Sequence, residues 1–263
     1  MKIEQILKEY SLFRRNMGIP IDRKVLYTFW EEDILGRIDF KNINVEKIRN
    51  TCSKRKIQIA KESIKYILVF NWVKFIAISG SIASGFVKED DDIDIFIVLK
   101  NDRAWIYRAI ILFRNIFHKR IRVGDRKTGV KDKLCINFIA EERSLCLDSD
   151  IFNLNEIVSL IPLYRKEYLK VLLGHNEWLF DKYSVSKKVL GIKKGESFDR
   201  KENKGNLFFS IFNRISFLLQ LLYMLVTGHN PDIKRLRMNY RKGRIEFFPK
   251  DFKMKKIDFL KDR

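Results

Sequence analysis

The sequence predicts an α/β protein, in the α+β sense that a small sheet carries helices contributed by several parts of the chain. Three short apolar runs with the composition of buried strands support this prediction: residues 75–79, 93–99 and 134–140. Around them, apolar residues recur at helical spacing. A hydrophobic content of 46% over 263 residues is enough for one large domain or two small ones.

The chain divides by composition into three predicted parts. Residues 1–50 form a helical or winged-helix-like extension, residues 51–145 the strand-bearing core, and residues 146–263 a helical C-terminal half with a basic tail. A linker is expected at residues 186–205, where charges and glycines replace apolar residues. Residues 21–50 of this extension have two interpretations: they form a unit that enters a DNA groove, or they brace the core. We expect the brace.

Helical spacing predicts the elements that surround the strands. The first helix runs from the N-terminus to Gly18, and a second covers residues 51–71. A third begins at a cap on Asp102 and ends at about Phe117, with a broad apolar face for the sheet. Residues 141–185 are expected to be helical as well. We expect these helices to cover one side of the sheet.

The most apolar stretch, residues 207–227, has two interpretations. Its length approaches the roughly 20 residues that cross a bilayer. Asn213, Arg214 and Gln220 interrupt it, however. An arginine near the centre of a span costs about 2.5–3.5 kcal/mol on insertion scales. We therefore expect a buried helix packed on the helical region, and no transmembrane segment.

The stretch most informative about function is a glycine turn between the first two strands, followed by an acidic turn. Gly80 and Ser81 end the first strand, while Asp92 and Asp94 open the second. Because strand side chains alternate, both carboxylates point to the same side, roughly 6–7 Å apart. Glycine lets backbone N–H groups approach a phosphate, and the following helix turns its positive end there. The acidic run alone would indicate a solvated turn, but this combination suits a divalent cation and a phosphate.

This pattern, Gly80-Ser81 followed after ten residues by Asp92-Ile93-Asp94, resembles the signature of the DNA polymerase β-like nucleotidyltransferase superfamily. The resemblance covers roughly residues 60 to 140. The flanks resemble small stand-alone nucleotidyltransferases. The resemblance implies a nucleotidyltransferase-like core with a small mixed sheet.

The resemblance also implies roles for individual residues. Asp92 and Asp94 are expected to bind Mg²⁺ or Mn²⁺, and the turn after the first strand is expected to hold the triphosphate of an NTP, with ATP the expected nucleotide. The candidate nucleotide-binding residues are Gly80, Ser81, Ser84 and Arg108. For Arg108 the alternative is a salt-bridged or solvent-facing arginine.

The third strand departs from the superfamily pattern, in which it supplies a third carboxylate. Asn137 stands at the expected position and is the third candidate catalytic residue beside Asp92 and Asp94. Simple alternation places Asn137 on one face with Cys135 and Ile139. Asparagine offers a neutral oxygen and cannot act as a base. We therefore expect that nucleotide binding can survive where transfer is slowed.

A net charge of +20 implies an anionic partner: nucleic acid, nucleotide or an anionic membrane surface. The alternative is a lysine-rich proteome. Residues 118–133 carry seven Lys or Arg against two Asp, which suits either a loop that holds acceptor or triphosphate or a solvated connector. The tail, residues 232–263, carries twelve basic residues against five acidic ones, interleaved with phenylalanines. We expect those rings to dock on the core and the charges to attract RNA or another polyanion.

Three functions compete at this stage. The leading one is an Mg²⁺-dependent nucleotidyltransferase that moves a nucleoside monophosphate from an NTP to a hydroxyl of RNA, protein or a small molecule. The second is a catalytically impaired protein of the same fold that binds nucleotide or RNA. The third is an antitoxin-type regulator with a protein partner. An odd number of cysteines and a charged N-terminus fit a reducing, cytoplasmic setting.

Overall fold

The computed structural model describes most of the core and parts of both flanks. The described residues are 3–19, 26, 29–31, 51–85, 87–122, 129–188, 205–227 and 232–247. Most of the predicted linker, part of the basic loop and the end of the tail lie outside these residues. The same holds for most of the N-terminal extension after its first helix, so a winged-helix unit there stays a prediction.

The described residues contain one mixed sheet of five strands, as the resemblance implied. The strands are β1 Val73–Ile78, β2 Ile93–Leu99, β3 Leu134–Glu141, β4 Ile161–Tyr164 and β5 Arg244–Glu246. Their order across the sheet is β4-β1-β2-β3-β5. The β2–β3 pair is parallel, and the other three pairs are antiparallel. The strands that flank the glycine turn, β1 and β2, are neighbours in the interior of the sheet.

Nine helices accompany the sheet in the described part of the chain. They are α1 Ile3–Asn16, α2 Thr51–Ser63, α3 Gly80–Ala83, α4 Ala104–His118, α5 Ile151–Ser159, α6 Tyr168–Gly174, α7 Trp178–Asp181, α8 Leu207–Val226 and α9 Ile233–Lys242. The first helix and the glycine-turn helix match the sequence prediction. The second ends at Ser63 and gives way to two 3₁₀ turns instead of continuing to residue 71.

Helices cover both faces of the sheet, so the expectation that they cover one side is wrong. One apolar cluster joins Phe75 and Phe96 to α1, α5, α6 and α7. The other joins Ile76 and Ile97 to α2, α4, α8 and α9. The physical reason lies in β2, whose apolar residues Ile93 and Ile95 to Leu99 are buried on both faces.

Strand β4 was missed in the helical interpretation of residues 141–185. Ile161–Tyr164 pairs antiparallel with β1 at the edge of the sheet, and Ala77 lies opposite Pro162. Proline cannot donate a ladder hydrogen bond, so an edge strand is where it is tolerated. A four-residue strand that contains proline has too little alternation to be distinguished from a helix boundary.

The N-terminus of α4 is capped by a residue distant in sequence. The predicted cap, Asp102, instead adopts a positive φ of 61°. The buried Glu141 carboxylate at the end of β3 accepts hydrogen bonds from the backbone N–H groups of Arg103 (2.9 Å) and Ala104 (3.1 Å). The cap prediction is therefore wrong, because a long-range carboxylate satisfies the donors that a local side chain was expected to satisfy.

The prediction that α8 is a buried helix packed on the helical region is also wrong. The helix packs on α4 instead, where the Asn213 side chain accepts from the Trp105 N–H (2.8 Å) and the Gln220 side chain donates to the Trp105 carbonyl (2.9 Å). Only 22% of its most apolar window is buried. By length and composition alone, α8 is sufficient to cross a membrane.

A buried lysine fixes the acidic turn that precedes β2. The Lys56 ammonium, with its side chain fully buried, donates to the carbonyls of Glu89 (2.9 Å) and Asp91 (2.6 Å) and pairs with Asp132 (2.8 Å). Arg55, whose side chain is 42% exposed, also pairs with Asp132. Burial raises the pKa of Asp132, but hydrogen bonds from the two cations outweigh it and lower the pKa overall. Since the folded pKa is lowered, this stabilisation is present above the ordinary aspartate pKa and lost as pH falls.

Replacing Lys56 tests whether its contacts with the acidic turn and Asp132, which we call the Lys56 clamp, stabilise the fold. We expect Lys56→Met to lower the free energy of unfolding by about 3 kcal/mol, because it leaves two carbonyls and a carboxylate without their buried donor. Arg55→Met is the matched control, since it removes an exposed partner of the same carboxylate and should cost less than about 1 kcal/mol. Urea denaturation at neutral pH measures both. Equal losses would contradict a clamp that depends on burial.

Candidate active site

The two aspartates at the start of β2 converge, as the alternation of side chains predicts. Asp92 directly precedes the strand, and Asp94 is its second residue. Carboxylate oxygens of both residues and the sulfur of Cys135 all lie within 4.8 Å of one another. Cys135 reaches this group because it lies opposite Asp94 in the parallel β2–β3 pair. The described residues thus place two hard oxygen donors and one soft sulfur donor around one point.

The glycine turn lies directly against these carboxylates. Gly80 has a φ of +63°, and a Cβ built there would overlap the Asp94 carboxylate. The Ser79 N–H donates to the Asp94 carbonyl at 3.0 Å, which holds turn and strand together. Glycine is therefore required at this position both for its backbone conformation and for its lack of a side chain.

The helix after the turn is short, as predicted, and too short to carry the dipole of a long helix. It comprises only Gly80–Ala83, a single turn. Ser81 lies in this turn and is partly exposed. What the turn offers an anion is therefore the set of N–H groups of one backbone turn and the Ser81 hydroxyl, without the dipole of a long helix.

Ser84, at the end of the short helix, is buried in the core and does not face the surface. It is 3% exposed. Its carbonyl accepts from Arg14 (2.8 Å), and its hydroxyl accepts from the Asn155 amide (3.3 Å). The candidate nucleotide contact at Ser84 is therefore placed in a buried network that stabilises the turn, and we assign the residue to that network.

That network ties the N-terminal helix to the turn. Arg14 of α1 is fully buried. Besides the Ser84 carbonyl, it donates to the Tyr10 hydroxyl (3.2 Å) and to the Asn155 side-chain oxygen (3.3 Å). The Tyr10 hydroxyl donates to the same oxygen at 3.0 Å. Sequence reasoning missed this anchor, although an arginine four residues after Tyr10 on an apolar helix face is a signal for a buried, hydrogen-bonded cation.

A second cation faces the carboxylates themselves. The Arg122 guanidinium pairs with the Asp92 carboxylate at 2.5 Å, and its side chain is 25% exposed. The hydrogen bond to Asp92 raises the pKa of Arg122. Arg122 lies just before the part of the basic loop that is outside the described residues. One residue of the basic loop therefore reaches a carboxylate of the site, which supports the interpretation of the loop as part of the site.

Cys135 contributes a neutral thiol to the group. Burial, followed by the Asp94 and Asp92 charges, raises the pKa of Cys135 well above its usual range. The thiol is therefore protonated at neutral pH and adds no charge to the two carboxylates. Two carboxylates this close together favour a cation beside them.

Comparison with known proteins identifies the region that holds this site. Residues 61–160 match the family model described as a nucleotidyltransferase domain. This part of the chain is a nucleotidyltransferase domain. The match spans both aspartates, the glycine turn and strands β1 to β3, and with the mixed sheet it is consistent with a member of the polymerase β-like superfamily. No curated protein and no solved structure matches the chain.

In the nucleotidyltransferase domain, the register of β3 differs from simple alternation. Asp94 lies opposite Cys135, yet Phe96 lies opposite Phe138, so β3 contains one additional residue between these pairs. The Phe138 ring stacks on Phe96 with the ring centroids 4.7 Å apart. It therefore lies on the same face as Cys135, whereas simple alternation places these two residues on opposite faces. The predicted alternation is therefore wrong beyond Cys135, because a β-bulge shifts it. Asn137 lies at this bulge, and its catalytic role stays a prediction.

Arg108 lies on the α4–α8 contact. Its guanidinium donates to the Gln220 side chain and lies over the Phe247 ring at 4.6 Å. Burial lowers the pKa of Arg108 to about 10. Since α4 starts near the end of β2 that is remote from Asp94, this part of the helix is distant from the carboxylates. Arg108 is thus hydrogen-bonded to a neutral amide, and the salt bridge or solvent exposure of the alternative is not what the described residues show. The same contact bears out the expected docking of Phe247.

The close approach of Gly80 to Asp94 gives a direct test of the site. We expect Gly80→Ala to lower the affinity for Mn²⁺ by about tenfold or more, because the new Cβ displaces the Asp94 carboxylate. The matched control is Gly18→Ala, which has a similar φ of +69° but nothing within 4 Å of a Cβ. It should cost about 1 kcal/mol of stability and leave Mn²⁺ affinity unchanged. Electron paramagnetic resonance titration measures the affinity, and a similar affinity in the two variants would contradict the assignment.

The Arg122–Asp92 pair predicts competition between arginine and metal. We expect Arg122→Ala to raise Mn²⁺ affinity by about fivefold, which corresponds to roughly 1 kcal/mol for a partly exposed ion pair. Arg120→Ala removes the same charge from an exposed side chain two residues away and should have little effect. The same titration applies to both variants. Weaker Mn²⁺ binding in Arg122→Ala than in the control would contradict competition at this carboxylate.

Proposed function

We propose that the protein is an Mg²⁺- or Mn²⁺-dependent nucleotidyltransferase that transfers a nucleoside monophosphate from an NTP, with ATP the proposed nucleotide, to an acceptor hydroxyl. The observation that carries the proposal is the Asp92–Asp94 carboxylate pair against the Gly80 turn, within a nucleotidyltransferase domain. The acceptor is a hydroxyl of RNA, a protein or a small molecule. A cytoplasmic location is part of the proposal, supported by the absence of CxxC spacing among its cysteines.

The donor set fits a hard divalent cation. Asp92 and Asp94 would hold the ion through oxygen, and Mg²⁺ is commonly bound by one or two carboxylates together with substrate phosphates. The protonated thiol of Cys135 is a poor ligand for such an ion, so it fills space beside the carboxylates. When bound, the ion supplies positive charge that offsets the charge of the triphosphate.

The residues of the chain position the nucleotide for an in-line reaction. The Gly80 turn offers backbone N–H groups and the Ser81 hydroxyl to phosphate oxygens. The acceptor oxygen attacks the α-phosphorus, the bond to the oxygen that bridges to the β-phosphorus breaks, and pyrophosphate leaves. The hydroxyl proton passes to water. Rate enhancement then comes mainly from positioning and charge neutralisation.

A second candidate is a catalytically impaired protein of the same fold that binds nucleotide or RNA, or acts on a protein partner in the manner of an antitoxin. The observation that favours it is Cys135, a neutral thiol, opposite Asp94 in the group of potential ligands. Cys135→Asp and Asn137→Asp discriminate between the candidates. A large gain of transfer in either variant supports an impaired site, and little change in both supports an intact one.

Label transfer tests the leading proposal. The full chain is incubated with each labelled NTP, Mg²⁺ or Mn²⁺, and total cellular RNA and protein, and the label is followed into product and pyrophosphate. We expect Asp92→Asn and Asp94→Asn each to reduce transfer by at least about a hundredfold, because each removes an anionic ligand of the cation that would offset the phosphate charge.

The control for this experiment is Asp90→Asn, which removes a carboxylate that is 92% exposed and two residues from Asp92. It should retain most of the transfer activity. Wild-type protein that consumes no NTP with any acceptor fraction would contradict the leading proposal, and so would equal losses in Asp90→Asn and Asp92→Asn.

A further inference from the structure

The helix α8 carries two apolar stripes, of which only one is covered. Phe217, Leu221 and Met224 pack into the cluster beneath α4. A second stripe follows the opposite side at helical spacing, and its residues are between 46% and 62% exposed: Phe208, Ile211, Ile215, Leu218, Leu219 and Leu222. We call this second set the α8 stripe. A contiguous apolar surface of this length on a folded domain indicates an interaction site.

The polar residues of α8 keep the helix on the protein. Asn213 and Gln220, which interrupt the apolar sequence, both bind the backbone of Trp105 in α4. Leaving α4 to cross a bilayer would break these hydrogen bonds and expose the buried stripe. The α8 stripe therefore faces outward from a helix that stays docked, which is the arrangement of a helix lying in an interface and not of a spanning helix.

Cations lie on the helix that contacts the covered stripe of α8. The Phe217 and Tyr240 rings stack at 4.6 Å, which joins α9 to α8. Helix α9 contains no acidic residue, and its exposed basic residues are Lys234, Arg237, Arg241 and Lys242. The α8 stripe contains no acidic residue, and the chain as a whole carries a net charge of +20.

We propose that α8 and α9 form a docking surface for an anionic lipid bilayer. The α8 stripe enters the boundary between headgroups and acyl chains, while the α9 cations bind the lipid phosphates. Apolar burial and attraction to anionic headgroups add in such binding, and exposed cations beside the apolar face are the feature that selects anionic lipid. The docked protein presents its nucleotidyltransferase domain at the membrane surface.

Charge favours a bilayer over a second copy of the chain. Association of two copies through α8 would bring two chains of +20 and two cationic α9 helices close together. Like charges at an interface oppose binding, and the cores of protein interfaces are depleted in charged residues. An anionic bilayer offers both an apolar layer and the opposite charge.

Flotation of the full chain with vesicles tests the proposal. One set of vesicles contains phosphatidylcholine and phosphatidylglycerol in about equal amounts, and the other contains phosphatidylcholine alone. We expect binding to the anionic vesicles to exceed binding to the neutral ones by about tenfold or more at low salt and to weaken as salt rises. Leu218→Ser with Leu222→Ser should lower the bound fraction by about tenfold or more, with an unchanged thermal unfolding midpoint, since both side chains are exposed.

Paired charge reversals locate the electrostatic contribution. Arg237→Glu with Arg241→Glu on α9 should lower anionic-vesicle binding by about tenfold. The matched control, Lys54→Glu with Lys61→Glu, removes the same charge from exposed positions on α2 and should have a much smaller effect. Equal losses in the two double variants would mean that only net charge matters, which overturns docking through α9.

Two other outcomes overturn the proposal. Self-association without lipid that the α8 serine variant abolishes, together with no flotation, would assign the α8 stripe to a second copy. RNA binding that the α9 reversal abolishes, together with flotation that neither variant changes, would assign the cations to nucleic acid. Analytical ultracentrifugation and an RNA gel-shift assay on the same proteins give these readouts.

Discussion

The structure depends on holding two like-charged carboxylates close together. The ligand atoms of this group lie within 4.8 Å of one another. At that distance two unit charges repel by about 3 kcal/mol at an effective dielectric constant near 20. The pairing of β2 with β3 and the glycine turn fix both side chains on one side of the sheet. Arg122 offsets part of the repulsion through Asp92. Two carboxylates this close together favour binding of a cation.

Two buried cations support this arrangement from different sides. Lys56 holds the carbonyls of the acidic turn just before Asp92, and Arg14 holds the Ser84 carbonyl just after the glycine turn. Both act on backbone atoms, so the path of the chain around the site is fixed independently of the Asp92 and Asp94 side chains. The N-terminal helix is thereby part of the support for the site, while the brace expected of residues 21–50 stays a prediction.

Local features of the sequence were sufficient to predict the glycine turn, the bounds of β2 and the convergence of Asp92 and Asp94. Each of these depends on the spacing of neighbouring residues. The errors concern what distant segments supply: the Glu141 cap of α4, the bulge at Asn137 and the buried partners of Ser84. The prediction that α8 is buried is wrong for a different reason. An apolar helix has the same composition whether its apolar side faces a core or lies exposed.

The most direct test of the account is calorimetric titration of Mg–ATP into the wild-type protein and into Asp92→Ala with Asp94→Ala. The account predicts a saturable binding heat for the wild type that disappears in the double variant, while both proteins unfold cooperatively. Binding of equal affinity in the two proteins would contradict it, because the nucleotide would then bind without the carboxylate pair. Absence of binding heat in the folded wild-type protein would contradict it as well.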